Sequence, residues 1–407
     1  MAWTSSAKTL GITAKLPYVS SHPNVVGRTP VSTAIAFTWF EFMLAAAKAS
    51  HLSYVAPSAA APEFELMLRL VGPHVDDVST AFAILSSASG FKDYVGAFFT
   101  GTVAAGLAVR AMVDEGYVWF AHFEALGSTA PSRKTPDYAM LGPGTGIALM
   151  EAKGSAAQQQ ATFVAAVRKG YREQVRPHLG HQVGGITATH GYSVGSWMRF
   201  GMSAEMRIAH TAPSTTGNTH SSSASGGAVD PVARTALLRS NYAGAFTLAH
   251  SPELGVAMRA GGAPLRPPQF ARFEWRGRRW LSALTTAEWL PHPWMGDDIL
   301  YMMVRHGVLR LRDLRGAVFA VENDIGKAAL TAFLLNPDGE AGEVADISPL
   351  EFDGRKTADE RFVGEGGGAF LPDGLALIEL PRDGRQFELI EWNGPRRQFE
   401  RVASIKI

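Results

Sequence analysis

An aspartate, Asp137, stands just before a glycine-rich turn, and the apolar run after that turn closes on Glu151-Ala152-Lys153. Two carboxylates can hold a hard divalent cation through oxygen. A lysine beside them can orient a water or stabilise charge on a phosphate. That set is the minimum equipment for hydrolysing a phosphodiester. Strand residues alternate faces, so in an extended 147–153 segment Ile147, Leu149, Glu151 and Lys153 share one face. The turn Gly142-Pro143-Gly144-Thr145-Gly146 joins this segment to a short strand at 137–141, a hairpin that brings Asp137 beside Glu151. Asp137 and Glu151 are then candidate ligands of one Mg²⁺ or Mn²⁺, with the Ala152 carbonyl as a further oxygen. Magnesium bound by one or two carboxylates keeps several waters, and one of these is the expected nucleophile. Lys153 is expected near that water and the scissile phosphate.

The elements that must position these residues read as follows. A long apolar helix covers 92–114, with Gly116 as its C-cap. A strand follows at 117–126, then a polar turn at 127–134. The two hairpin strands come next. Ser155 is expected to cap a helix at 156–175, stopped by Pro177. A strand at 183–189 and a further one within 197–210 complete the segment. The glycine turn is not followed by a helix, so it reads as a turn rather than a phosphate-binding loop.

Pro136-Asp137, the spacer and Glu151-Ala152-Lys153, set in the order helix, three-strand meander, helix, strand, resemble the PD-(D/E)XK nuclease superfamily. The resemblance covers about 92–210. It implies an α/β chain (α+β overall) built on a restriction-endonuclease-like αβββαβ core. It also implies Asp137 and Glu151 as metal ligands, Lys153 as the catalytic lysine, and a helix at 155–175 packed beside the site. One departure stands out. Many members carry a further acid in the helix before the meander, whereas 100–113 holds no carboxylate. Asp114, Glu115 and Glu124 are the candidate substitutes, with Glu115 preferred on position. The missing acid keeps a non-cleaving, nucleic-acid- or protein-binding module as the alternative.

Other signals have plainer readings. His178, His181 and His190 lack metal-ligand spacing, since Pro177 and Gly180 interrupt them. Arg168, Lys169, Arg172 and Arg176 form either a phosphate-contacting stripe or a solvated helix face. Gln158, Gln159 and Gln160 are either a polar face or reach toward a phosphate at a helix N-terminus. Arg272, Arg276, Arg278 and Arg279 alternate with Phe273, Trp275 and Trp280, which suits either single-stranded nucleic acid or a strand with one wet and one dry face.

Bulk properties bound the rest. The 407 residues are 46% hydrophobic and 18% charged, enough for two or three cores. The net charge of +1 means that any positive field must be local. With no cysteine, disulfides, thiolate zinc sites, iron–sulfur clusters and cysteine nucleophiles are excluded. The apolar stretch 31–47 contains Glu41 and is short for a span, so it reads as a buried helix. A mostly helical region is expected at 1–91, irregular to about 30 around Pro17, Pro23 and Pro30 and then helical at about 32–52, 63–71 and 78–87. The nuclease-like core is expected at 92–212, a Ser/Gly linker at 213–230 and a β-rich domain at 231–407. The expected protein is a cytoplasmic, membrane-free, metal-dependent nuclease acting on DNA, compatible with a homodimer or a partner protein. Restriction, phage defence and interbacterial toxicity all fit, and the residues do not choose among them.

Overall fold

The computed structural model describes residues 3, 7–52, 71–91, 93–143, 146–213, 231–249, 251–283, 317–334, 347–350, 367–379 and 386–406. It is a mixed, α+β structure in two compact units, Met1–Tyr54 with Glu63–Asn241, and Val55–Pro62 with Tyr242–Ile407. The expected helix at 63–71 and linker at 213–230 lie almost wholly outside the described residues.

The strands of the first unit are β1 (Lys8–Tyr18), β2 (Ala34–Phe37), β3 (Ala83–Ile84), β4 (Trp119–His122), β5 (Tyr138–Leu141), β6 (Ile147–Ser155), β7 (Gln182–Val183), β8 (Ile186–Trp197), β9 (Met202–Ser203) and β10 (Glu205–Thr211). Its main sheet runs β2-β1-β10-β8-β6-β5-β4, with β7 paired to β8 and a small β3-β9 sheet apart. β4, β5 and β6 form an antiparallel meander, and β8 lies parallel to β6.

Helices cover both faces of this sheet. α1 (Trp39–Leu52) packs on α2 (Asp93–Asp114), and a Cβ on Gly106 would lie 2.7 Å from the Ala46 methyl, so the two helices touch closely. α2 lies on the sheet where a Cβ on Gly154 would strike the Thr100 carbonyl. Val95–Asp114 is long and apolar enough by composition to cross a membrane, and half of it is buried inside the protein. α3 (Gln160–Gly170) covers the opposite face. Gly191 and Gly195 of β8 admit Val175, Val167 and Phe163, which added Cβ atoms would strike. Small residues at period two thus make a flat floor for α3.

The 1–91 region differs from the helical expectation. Lys8–Tyr18 is an eleven-residue strand, parallel to β10 and antiparallel to β2. Alternation of Thr9, Gly11 and Thr13 outward with Leu10 inward outweighs the prolines, and Pro17 sits near the strand's end. Helix α1 begins only at Trp39, because 34–37 pairs as a strand and a capping box starts the helix. Thr38 N–H donates to Glu41 Oε2 (2.7 Å), and Glu41 N–H donates to Thr38 Oγ1 (3.3 Å). The segment 78–87 holds β3 and the start of a 3₁₀ turn instead of an α-helix.

Strands β11 (Gln269–Trp275), β12 (Arg278–Ala283), β13 (Ala317–Glu322), β14 (Gly368–Phe370), β15 (Leu375–Glu379), β16 (Gln386–Asn393) and β17 (Gln398–Lys406) form an antiparallel sheet ordered β14-β15-β13-β12-β11-β16-β17 in the second unit. Helices α4 (Pro231–Leu248), α5 (Pro252–Ala260) and α6 (Asn323–Leu334) complete the described elements, the division between units falling inside α4. The arginine–aromatic segment is a hairpin. Phe273, Trp275 and Trp280 are buried, Arg272 pairs with Glu388, and Arg278 and Arg279 are exposed. The wet-and-dry strand reading therefore holds, and these rings are not presented for stacking on bases.

Candidate active site

The hairpin sets the site. Tyr138 on β5 pairs with Met150 on β6, so Asp137, one residue before β5, stands beside Glu151. Asp137 N–H donates to Glu151 Oε2 (3.1 Å), and Ala152 N–H donates to Asp137 Oδ2 (2.8 Å). Lys153 Nζ pairs with Glu151 Oε1, as the shared strand face requires. Ala152, expected to offer its carbonyl, is held here through its N–H.

Asp137 is further fixed by the loop before it. His178 Nε2–H donates to the Lys134 carbonyl (2.9 Å), and Gln174 Nε2–H donates to the Thr135 carbonyl (3.0 Å). A carbonyl only accepts, so Nε2 carries the proton and Nδ1 accepts from the Ser128 hydroxyl (3.1 Å). Burial lowers the His178 pKa and favours this neutral form. Lys134 and Glu173 add an exposed ion pair at 2.5 Å. His178 is thus a buried structural residue. His181 lies against the His22 ring, and His190 sits in a separate network with Tyr117 and Thr189.

Electrostatics bind the two carboxylates together. Glu151 is 1% exposed. Burial, then the Asp137 charge, push its pKa up to about 7, while Lys153 pulls it down. Asp137 is also raised by burial, opposed by the Ala152 N–H, Lys153, Glu151 and His122. Two like charges in a poorly solvated place with one ammonium leave an excess of negative charge, a setting that a divalent cation would relieve. Among the described residues no group of three or more His, Asp or Glu side chains converges to hold a metal. A pair of carboxylates still suits Mg²⁺, which commonly takes one or two and completes its shell with water.

Each candidate substitute acid is engaged away from the carboxylate pair. Glu115, the preferred one, is buried and accepts from the Val31 and Ser32 N–H groups (2.8–3.0 Å), tying the 28–32 segment to the end of α2. Asp114 pairs with Arg110, one turn back on α2. Glu124 accepts from Thr135 Oγ1 (3.3 Å).

The helix after the site begins at Gln160, with Gln159 at its N-cap position and no side-chain cap. Ser155 belongs to β6, and its Oγ accepts from Ala157 N–H in a turn (3.2 Å). Gln158, Gln159 and Gln160 are exposed. α3 ends at Gly170, and one π-helical turn (Tyr171–Val175) and a 3₁₀ turn (Arg176–His178) carry the chain past Pro177.

Two residues of the site were not foreseen. Ser193 lies opposite Glu151 in the β6–β8 register, is fully buried, and its hydroxyl makes no hydrogen bond. A Cβ on Gly170 would lie 2.7 Å from Ser193 Oγ, 3.0 Å from Lys153 Cε and 3.2 Å from Glu151 Cγ. Gly170 therefore lets α3 close directly over the Glu151–Lys153 pair. The sequence signal was the period-two run Gly191-Tyr192-Ser193-Val194-Gly195. It is no nucleophile elbow, since it lies inside a continuous strand rather than at a strand–turn–helix corner. No family model, curated protein or solved structure matches the chain.

Proposed function

We propose that the chain is a metal-dependent nuclease with a restriction-endonuclease-like core, hydrolysing phosphodiester bonds in DNA. The observation that carries this reading is the meeting of Asp137, Glu151 and Lys153 on a β4-β5-β6 meander flanked by α2 and α3, with β8 parallel to β6. Mg²⁺ or Mn²⁺, held by Asp137 and Glu151 with water completing its shell, would supply Lewis acidity and a water of lowered pKa. The protein's own groups do the positioning. The Ala152 N–H aims the Asp137 carboxylate, the Asp137 N–H aims Glu151, and Lys153 offers its ammonium to charge developing on the phosphate. α3, seated on the pair through Gly170, limits water on that side.

A DNA substrate favours a cytoplasmic location, and a bacterial role in restriction, phage defence or interbacterial toxicity fits the chemistry. The purified protein is expected to cut linear, circular or single-stranded DNA with Mg²⁺ or Mn²⁺ and not with EDTA. The second reading, a non-cleaving nucleic-acid- or protein-binding module, is favoured by the carboxylate-free stretch 100–113 and by the other bonds of Asp114 and Glu115. DNA binding without cleavage under any metal would select it.

A further inference from the structure

We infer that the exposed basic face of α3 and the turns after it is the docking surface for the phosphate backbone of a polynucleotide. This rests on the nuclease reading for its substrate class and deepens it by naming where the polymer lies. The chain as a whole carries a net charge of only +1, so a polyanion finds no general field to bind. Yet Arg168, Lys169, Arg172 and Arg176 fall within nine residues, and Glu173 is the single acid between 156 and 180. All four basic side chains are exposed. Glu173, the one opposing charge, is bonded to Lys134, and that bond, then Lys134, Lys169 and Arg172, draw its pKa down. Arg133 and Lys134, also exposed, lie in the loop that leads into Asp137, and that loop is tied to the 173–178 turn by Glu173, Gln174 and His178. The basic residues thus sit on the two segments that bracket the carboxylate pair.

The reach is right for a backbone. Residues 168–176 extend about 12 Å along the helix axis, the axial run of three to four phosphates on one strand. The inner face of α3 is committed to the sheet through Phe163, Val167 and Gly170, so the outer face carries no packing duty. Exposed arginines there gain little from any folded-state contact, and phosphate oxygens are the partners their fork geometry matches. An acidic protein would meet the same charge, but the neighbouring carboxylate–lysine site gives a phosphodiester polymer a reason to be drawn here.

The test is binding of a short fluorescent DNA duplex to the full chain in EDTA, followed by anisotropy across a salt series. Arg168→Ala/Arg172→Ala/Arg176→Ala is expected to weaken binding ~100-fold near 0.1 M salt and to lower the log–log salt slope by about 3, since each phosphate contact contributes about 0.9. Arg278→Ala/Arg279→Ala, on the exposed hairpin of the second unit, controls for general charge and is expected to bind as wild type. Thermal melting of each variant confirms that it folds. Equal affinity and slope in the triple variant would overturn the proposal, as would binding to phosphatidylserine vesicles with none to DNA. DNA binding through this face without cleavage in Mg²⁺ or Mn²⁺ would uphold the surface while removing the nuclease reading. Cleavage with no dependence on these arginines would do the reverse.

Discussion

Gly170→Ala is a sharp test of how closely α3 approaches the site. Gly170 has ordinary helical angles (φ −53°, ψ −48°), so alanine meets no backbone strain there. On propensity alone the substitution stabilises by about 1 kcal/mol. The added methyl, however, would lie 2.7 Å from Ser193 Oγ, 3.0 Å from Lys153 Cε and 3.2 Å from Glu151 Cγ. The lysine end can swing aside, whereas the Ser193 hydroxyl, fully buried on a central strand, has little room to rotate away. Overpacking of this kind costs about 1–3 kcal/mol, so the net expectation is a loss of up to about 2 kcal/mol. Ser193→Ala removes the nearest atom, a buried hydroxyl without a hydrogen bond, and is expected to be neutral or stabilising by up to about 1 kcal/mol. The double variant should then recover most of the loss, a coupling of about 1 kcal/mol. Urea unfolding of the four proteins measures this directly. A Gly170→Ala protein more stable than wild type, with no coupling to Ser193→Ala, would refute the close approach.

Other consequences follow from the same geometry. His190 is buried against Tyr117 and Thr189, and burial, then the Arg28 charge, lower its pKa to about 4. The unfolded chain, with a pKa near 6.5, takes up this proton first. Its contribution is therefore present above about pH 6.5 and lost as pH falls toward 4, in total roughly 3 kcal/mol. Urea midpoints measured across that window should fall in wild type and flatten in His190→Gln. Glu115→Ala leaves the Val31 and Ser32 N–H groups without their acceptor and should cost about 2–3 kcal/mol in the same assay. Mn²⁺ binding and cleavage by that variant should persist, because Glu115 serves the 28–32 segment rather than the carboxylate pair.

The meeting of Asp137, Glu151 and Lys153 was legible because it is local. Asp137, Glu151 and Lys153 lie within seventeen residues of one another, joined by a single hairpin whose period-two alternation fixes the face of Glu151 and Lys153. What escaped sequence reasoning depends on pairing between distant segments. Ser193 reaches Glu151 only through the parallel β6–β8 register, and Gly170 matters only once α3 is laid on that floor. Lys8–Tyr18 read as irregular because Pro17 within it and Pro23 and Pro30 after it mask its alternation, and its partner β10 lies nearly two hundred residues away. Glu115 looked available as a third acid until the fold showed which backbone donors it serves. The arginine–aromatic hairpin shows the converse, since one pattern served two readings and only burial of Trp275 and Trp280 decided between them.

The most direct test joins metal binding and cleavage in the same samples. Mn²⁺ binding is followed by electron paramagnetic resonance, and nicking of supercoiled plasmid by gel, for wild type, Asp137→Asn, Glu151→Gln and Lys153→Ala. The expected pattern is binding and cleavage in wild type, loss of both in the two carboxylate variants, and retained binding without cleavage in Lys153→Ala. Unaltered Mn²⁺ binding in Glu151→Gln, or wild-type cleavage by Lys153→Ala, would contradict the assignment of this site.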